Sequence, residues 1–234
     1  MVNMRNVQFD FGGGGGGDVG VDVGVDVGGD VDVDGCGELM LSSRWVLWET
    51  KCSTTEYVSS LCKVGEIESV EKFWMYYNNY PSPSMIFYNG EYKPTVKNPM
   101  RNISSIGLFR EGVKPEWEDE ANIRGGELAL RVFSSMEEID QKWEMLSCGV
   151  VGEQFEGLGV TGVRVVDSSV PKRNSLYRIE VWFSDCRMKS GVERVFREIL
   201  GLGGGVDLFY REHSSAVDTG MYRSNHRKGR NFRR

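Results

Sequence analysis

The chain of 234 residues has room for one ordinary domain and a tail, and its 40% hydrophobic and 11% aromatic residues suffice for a core. Its formal charge of −6 sits mostly at one end: residues 1–38 carry eight acids against the single base Arg5, leaving 27 bases and 26 acids elsewhere. A near-neutral body excludes a protein that coats long nucleic acid by bulk charge, though not one that holds a few phosphates at one place.

From Gly12 to Gly37 the sequence is almost only Gly, Val and Asp. It has no aromatic residue and no helix-period stripe, so burial cannot offset the ordering entropy of its glycines. Residues 1–38 are therefore expected to form a disordered acidic arm, 39–222 the folded domain and 223–234 a basic tail. The tail carries Arg223, Arg227, Lys228, Arg230, Arg233 and Arg234 with no acid among them, so an acidic arm competing for basic sites is a further expectation. The five cysteines (Cys36, Cys52, Cys62, Cys148, Cys186) are odd in number and lack short paired spacing, which reads as reduced thiols and neither a disulfide framework nor a metal site. No signal-peptide pattern or bilayer-length apolar run is present, so the expectation is a soluble cytoplasmic protein.

Order is expected from about Leu39. Arg44-Trp45-Val46-Leu47-Trp48-Glu49 alternates like a strand with one aromatic-rich face, and residues 55–64 read as a second strand. Ser69 looks like an N-cap for a helix carrying Val70, Phe73, Trp74 and Tyr77, ended by Pro81 and Pro83. Residues 84–108 read as loop and short strand, with turn signals at Asn89-Gly90 and Asn98-Pro99. Residues 127–133 read as a strand after the Gly125-Gly126 turn. Ser135 and Glu138 form a capping box for a helix with Ile139, Trp143 and Leu146. Segments 160–167 and 176–184 read as paired strands, and a third helix runs from about Arg187 to Leu200 before Gly201. Strands interleaved with three helices, without regular alternation, predict an α+β fold on an antiparallel sheet.

The informative stretch runs from Leu108 to Gly126. Trp117 beside Glu118 sets a flat aromatic surface next to a carboxylate, in a loop fixed by Pro115. Guanine presents two adjacent donors that one carboxylate accepts together, and an indole stacks on its face for roughly 1–3 kcal/mol. Methylation at the imidazole nitrogen makes the base cationic and adds cation–π attraction. The same residues on their own also fit an exposed acidic turn over a buried Trp. Enzyme chemistry is less well served. Glu116, Glu118, Asp119 and Glu120 cluster, and His213 and His226 exist, but no nucleophile–base set, metal spacing or phosphate loop with Lys-Ser/Thr accompanies them.

The ordered motifs carry a resemblance. Arg-Trp-x-Leu-Trp (44–48), Val-Glu-x-Phe-Trp (70–74), the Trp-Glu-Asp-Glu loop ending in Arg-Gly-Gly (117–126), Trp143, Gly152-Glu153, Val181-Trp182, the run 194–202 and Tyr210-x-x-His213 resemble the eukaryotic translation initiation factor 4E family, the messenger-RNA cap-binding proteins. The resemblance implies a curved antiparallel sheet with three helices on its convex face and a slot for the 7-methylguanosine cap on its concave face. It implies Tyr57 and Trp117 as the stacking planes, Glu118 as the guanine-edge acceptor, and Trp182 against the N-methyl group. Arg124, Arg164 and Arg178 fall where the family sets basic residues near the cap phosphates.

Tyr57 offers a smaller π-face than the Trp of the best-studied members, which implies looser binding. The segment 167–175 departs from the family by an insertion; its Lys172 and Arg173 either add phosphate contacts or form a solvated loop. On the convex face, Val70, Trp74 and Gly152 match the surface that takes a Tyr-x-x-x-x-Leu helix from a scaffold or inhibitor protein. Glu144 stands there where an apolar residue is usual. The implied protein is a monomer in a translation initiation complex that needs no cofactor. A cap-binding repressor that does not recruit the scaffold, or a non-binding adaptor on the same fold, remain as alternatives.

Overall fold

In the computed structural model the described residues are 37–51, 61–87, 103–132, 135–167 and 177–218. Residues 1–36 of the acidic arm, Tyr57, the turns at Asn89 and Asn98, Lys172, Arg173 and the basic tail lie outside them. The elements follow as β1 (Met40–Lys51), β2 (Leu61–Ser69), α1 (Val70–Asn79), α2 (Pro83–Phe87), β3 (Ile103–Arg110), β4 (Gly126–Val132), α3 (Met136–Val151), β5 (Val160–Asp167), β6 (Tyr177–Phe183), α4 (Lys189–Leu200), β7 (Phe209–Glu212) and α5 (His213–Asp218). The seven strands form one curved sheet in the order β2-β1-β3-β5-β6-β4-β7, every neighbouring pair antiparallel.

Alternation along the strands divides the sheet into two faces. One face presents Trp45 and Leu47, Ile106 and Leu108, Val163 and Val165, Ile179, Val181 and Phe183, and Leu128 and Leu130; all are buried in one cluster with Phe73 of α1, Trp143 and Leu146 of α3 and Phe196 of α4. This is the convex, helix-covered core. The registers Gly162↔Trp182, Glu127↔Trp182, Arg164↔Glu180 and Ala129↔Glu180 put the complementary residues on the concave face. The same side chains that interrupt an all-apolar strand pattern therefore line up across three strands, β5, β6 and β4.

The helix signals act as read. Ser69 Oγ accepts from Lys72 N at 3.2 Å, and Ser135 Oγ accepts from Glu138 N at 3.1 Å. A 3-10 turn at Cys186–Met188 leads into α4, which stops at the left-handed Gly201. Differences lie at the edges. The second strand is β2, beginning at Leu61; residues 55–60 are outside the described set. The strand expected over 55–64 runs on through Gly65 to Ser69; a Cβ at Gly65 would lie 1.9 Å from Tyr76 Oη, and its bareness lets α1 cross the strand. Pro83 does not merely end α1. It opens the short α2, where its missing N–H costs nothing. Asp140 of α3 holds this turn by accepting from Ser84 N at 2.8 Å and Ser84 Oγ at 2.5 Å. The edge strand β7 and the short α5 are further elements that local patterning did not announce.

Among the described residues Cys62, Cys148 and Cys186 are free thiols. Burial, and then the nearby Glu144 carboxylate, push the Cys148 thiol up to about 11. Among these residues no helix is long and apolar enough to cross a membrane.

Candidate functional site

The loop between β3 and β4 is held by two side chains. Asn122, fully buried, donates through Nδ2 to the carbonyls of Lys114 and Glu116, both at 2.9 Å, and its Oδ1 accepts from Thr161 Oγ1 at 2.8 Å. Asp119 accepts from Lys114 N and Ala121 N, each at 3.0 Å. Five hydrogen bonds thus fix a segment with no regular secondary structure. They present Trp117 half-buried and Glu118 exposed at its tip. Burial raises Glu116, against the opposing Lys114 and with help from Glu118 and Asp119.

Trp117 and Glu118 stand at the rim of an open cleft of about 210 Å³ on the concave face, lined also by Thr50, Ser104, Ser105, Arg164, Val166, Arg178 and Arg211. Beneath it lie two fully buried carboxylates. Glu180 accepts from Arg164 Nε at 2.9 Å and Trp182 Nε1 at 3.1 Å, and pairs with Arg164 Nη2 at 2.8 Å and Arg178 Nη2 at 3.1 Å. Glu127 accepts from Trp117 Nε1 at 3.3 Å and lies 3.6 Å from Arg211 Nη1 and 3.8 Å from His213 Nε2. Burial opposes the Glu127 charge, but the His213 imidazole, Arg164 and Arg211 outweigh it and hold the carboxyl below its usual value. The Nδ1–H of His213 donates to the Asn122 carbonyl at 2.9 Å, which ties this network to the loop.

Each indole is thereby oriented by a carboxylate, and the guanidiniums stack on the rings. Arg164 lies over Trp182 with Cζ 4.6 Å from the ring centroid, and Arg211 over Trp117 at 5.2 Å. Phe109 meets Trp182 edge-on at 5.4 Å, and His213 packs on it at 4.5 Å. Gly162 makes this possible, since a Cβ there would come within 2.3 Å of the Phe109 ring. The three cleft arginines face two buried carboxylates, so the floor keeps one net positive charge and has an exposed acceptor at its rim. That arrangement suits a flat ligand carrying phosphates and a pair of hydrogen-bond donors.

Of the residues singled out in the sequence, the structure brings Trp117, Glu118, Arg164 and Arg178 together at the cleft. Trp182 is fully buried beneath it, roofed by Arg164, and supports the floor without lining it. Arg124 is exposed outside the cleft; its carbonyl accepts from Cys186 Sγ at 3.4 Å and its charge lies near Asp185. Tyr57 is outside the described residues. Sequence reading missed Arg211, Glu127, Glu180 and Asn122. The available signal was a charged residue at alternate strand positions, as in Arg178-Ile179-Glu180-Val181-Trp182. On the convex side Val70 and Trp74 are half-buried on α1, with Trp74 edge-on to Phe73 at 5.0 Å and to Tyr77 at 5.5 Å. Gly152 is the exposed cap of α3, and Glu144 is half-buried.

Residues 40–228 match the family model for eukaryotic initiation factor 4E. The chain belongs to that family. Initiation factor 4E-2 of Schizosaccharomyces pombe is 27% identical over 189 residues, covering 79% of this chain and 71% of that protein. The Eremothecium gossypii initiation factor 4E is 31% identical over 76% of this chain and 79% of its own length, and the human one 28% identical over 76% of each. Among solved initiation factor 4E structures, eIF4E-3 of C. elegans in complex with the 4E-binding protein Mextli and a cap analog superposes with a TM-score of 0.62 at 26% identity, covering 76% of this chain and 95% of that one. Ascaris suum eIF4E-3 in complex with the m7G cap gives 0.62 at 25% identity, covering 75% and 92%.

Proposed function

We propose that this initiation factor 4E family chain binds the 7-methylguanosine cap of messenger RNA and acts in translation initiation. The observation that carries the proposal is the hydrogen-bonded loop that sets Trp117 and Glu118 side by side over a cleft floored by Arg164, Arg178 and Arg211. Trp117 stacks on the methylated guanine, whose positive charge strengthens the contact, and Tyr57 supplies the opposing plane. Glu118 accepts from the guanine edge, and the guanidiniums take the phosphates. Trp182 and the two buried carboxylates hold this arrangement from below. Support comes from the related eIF4E-3 proteins, solved with a cap analog and with the m7G cap.

The chain acts by binding and not by turnover, in the cytoplasm, with residues 39–222 as the binding domain. Val70, Trp74 and Gly152 on the convex side form the contact for a helical segment of a scaffold or inhibitor protein. The related eIF4E-3 in complex with Mextli supports a protein partner. The test is retention on immobilised 7-methylguanosine triphosphate: release by the free methylated nucleotide, with no release by GTP, is expected. Passage through the matrix unretained would reject the proposal.

A further inference from the structure

The concave face continues past the cleft onto an aromatic ring that the guanine slot does not use. Phe209 on the edge strand β7 is 37% exposed, and its register partner on β4 is the small Ala129. A lone exposed phenylalanine is ordinary. This one is flanked by two cations: Arg131 Cζ lies 5.3 Å from its ring centroid and Arg211 Cζ 5.2 Å. Arg211 Cζ is also 5.2 Å from the Trp117 centroid, so one guanidinium bridges the slot tryptophan and the edge phenylalanine. Arg131 is exposed and is the register partner of Arg178, which lines the cleft. A row of cations thus runs from Arg164 through Arg178 to Arg131, ending beside a partly exposed ring.

We propose that Phe209, Arg131 and Arg211 form a subsite for the RNA chain beyond the cap. In this subsite a base of the leading nucleotides stacks on Phe209 and a backbone phosphate pairs with Arg131. The inference rests on the cap reading, because it places the strand by continuing it out of the guanine slot. Interleaved rings and guanidiniums are the chemistry that holds single-stranded nucleic acid without reading its bases. Stacking and phosphate pairing, the contacts assigned to this subsite, do not depend on base identity, so the subsite tolerates any base.

The experiment compares 7-methylguanosine triphosphate with a capped short oligoribonucleotide on the full chain, for the wild type, Phe209→Leu and Arg131→Gln. Leucine keeps an apolar side chain and removes the π-face; a thermal melt checks that both variants are folded. The wild type is expected to bind the capped oligonucleotide about five-fold or more tightly than the mononucleotide, the scale of one base stack. Phe209→Leu should remove that increment and leave mononucleotide affinity within about two-fold. Arg131→Gln should shrink the increment and lower the salt slope by roughly 0.7, one phosphate contact on a single strand. Equal wild-type affinity for both ligands, or equal weakening of both by Phe209→Leu, would overturn the subsite while leaving the cap reading intact. A wild type that binds neither ligand would overturn both together.

Discussion

Replacing Glu180 with Gln tests whether the floor of the cleft is held by charge. The side chain is fully buried and serves Arg164 through two nitrogens at 2.8 and 2.9 Å, Arg178 at 3.1 Å and the Trp182 indole at 3.1 Å. Glutamine keeps the shape and one acceptor oxygen, but its amide turns donors toward a guanidinium and leaves two arginines without their buried counter-charge. Removing one partner of a buried ion pair costs roughly 3–5 kcal/mol, and the retained oxygen argues for the lower end, about 3 kcal/mol. For a domain of this size each kcal/mol shifts Tm by about 2–4 °C, so Glu180→Gln should melt about 6–12 °C lower. Glu198→Gln is the control. Its carboxylate is 64% exposed and 3.9 Å from Arg194, and its loss should change stability by less than about 0.5 kcal/mol. Differential scanning fluorimetry at equal concentration reads both. A Glu180→Gln melt indistinguishable from the Glu198→Gln melt would refute the reasoning, because a buried carboxylate serving three partners cannot be as dispensable as an exposed one.

The loop scaffold makes its own prediction: Asn122→Ala removes three side-chain hydrogen bonds worth about 1 kcal/mol each, so urea unfolding should lose about 3 kcal/mol, and cap affinity should fall although Asn122 is buried away from the cleft. Glu127, held below its usual value, stabilises the fold above the unfolded carboxylate pKa of about 4.3 and loses that contribution as pH falls through the folded value; the stability gap between wild type and Glu127→Gln should shrink from pH 6 to pH 3, and a gap constant over that range would contradict the assignment. Trp74→Ala should weaken a Tyr-x-x-x-x-Leu peptide by at least about 30-fold, as a hot-spot tryptophan does, with affinity for the methylated nucleotide unchanged; equal peptide binding by calorimetry would place the partner contact elsewhere.

The fold was legible because its signals are local. Ser69 and Ser135 announce helices by their hydroxyls, Gly201 stops one, and the alternation in β1, β5 and β6 follows from a sheet with one buried face. The far end of β2 was set too early, since the role of Gly65 lies in its clearance from Tyr76 of another element, and β7 was missed because four residues at an edge carry too little period to read. At the site, Trp117 and Glu118 were legible as adjacent residues in a proline-fixed loop. Glu127, Glu180 and Arg211 were not, since their roles exist only once β4, β6 and β7 stand side by side and pair a buried acid with a cation from another strand. Arg124 shows the converse. The family resemblance places it near the cap phosphates, while in the structure it does not line the cleft and its charge lies near Asp185.

Cap recognition requires that the cleft distinguish a methylated, cationic guanine from a neutral one through Trp117 and Glu118. Tryptophan fluorescence titration with 7-methylguanosine triphosphate and GTP, on the wild type and on Glu118→Ala, measures this directly. Saturable quenching by the methylated nucleotide, at least about ten-fold tighter than by GTP and lost in Glu118→Ala, is the predicted result. Equal quenching by both nucleotides, or a response unchanged by the Glu118→Ala substitution, would contradict it.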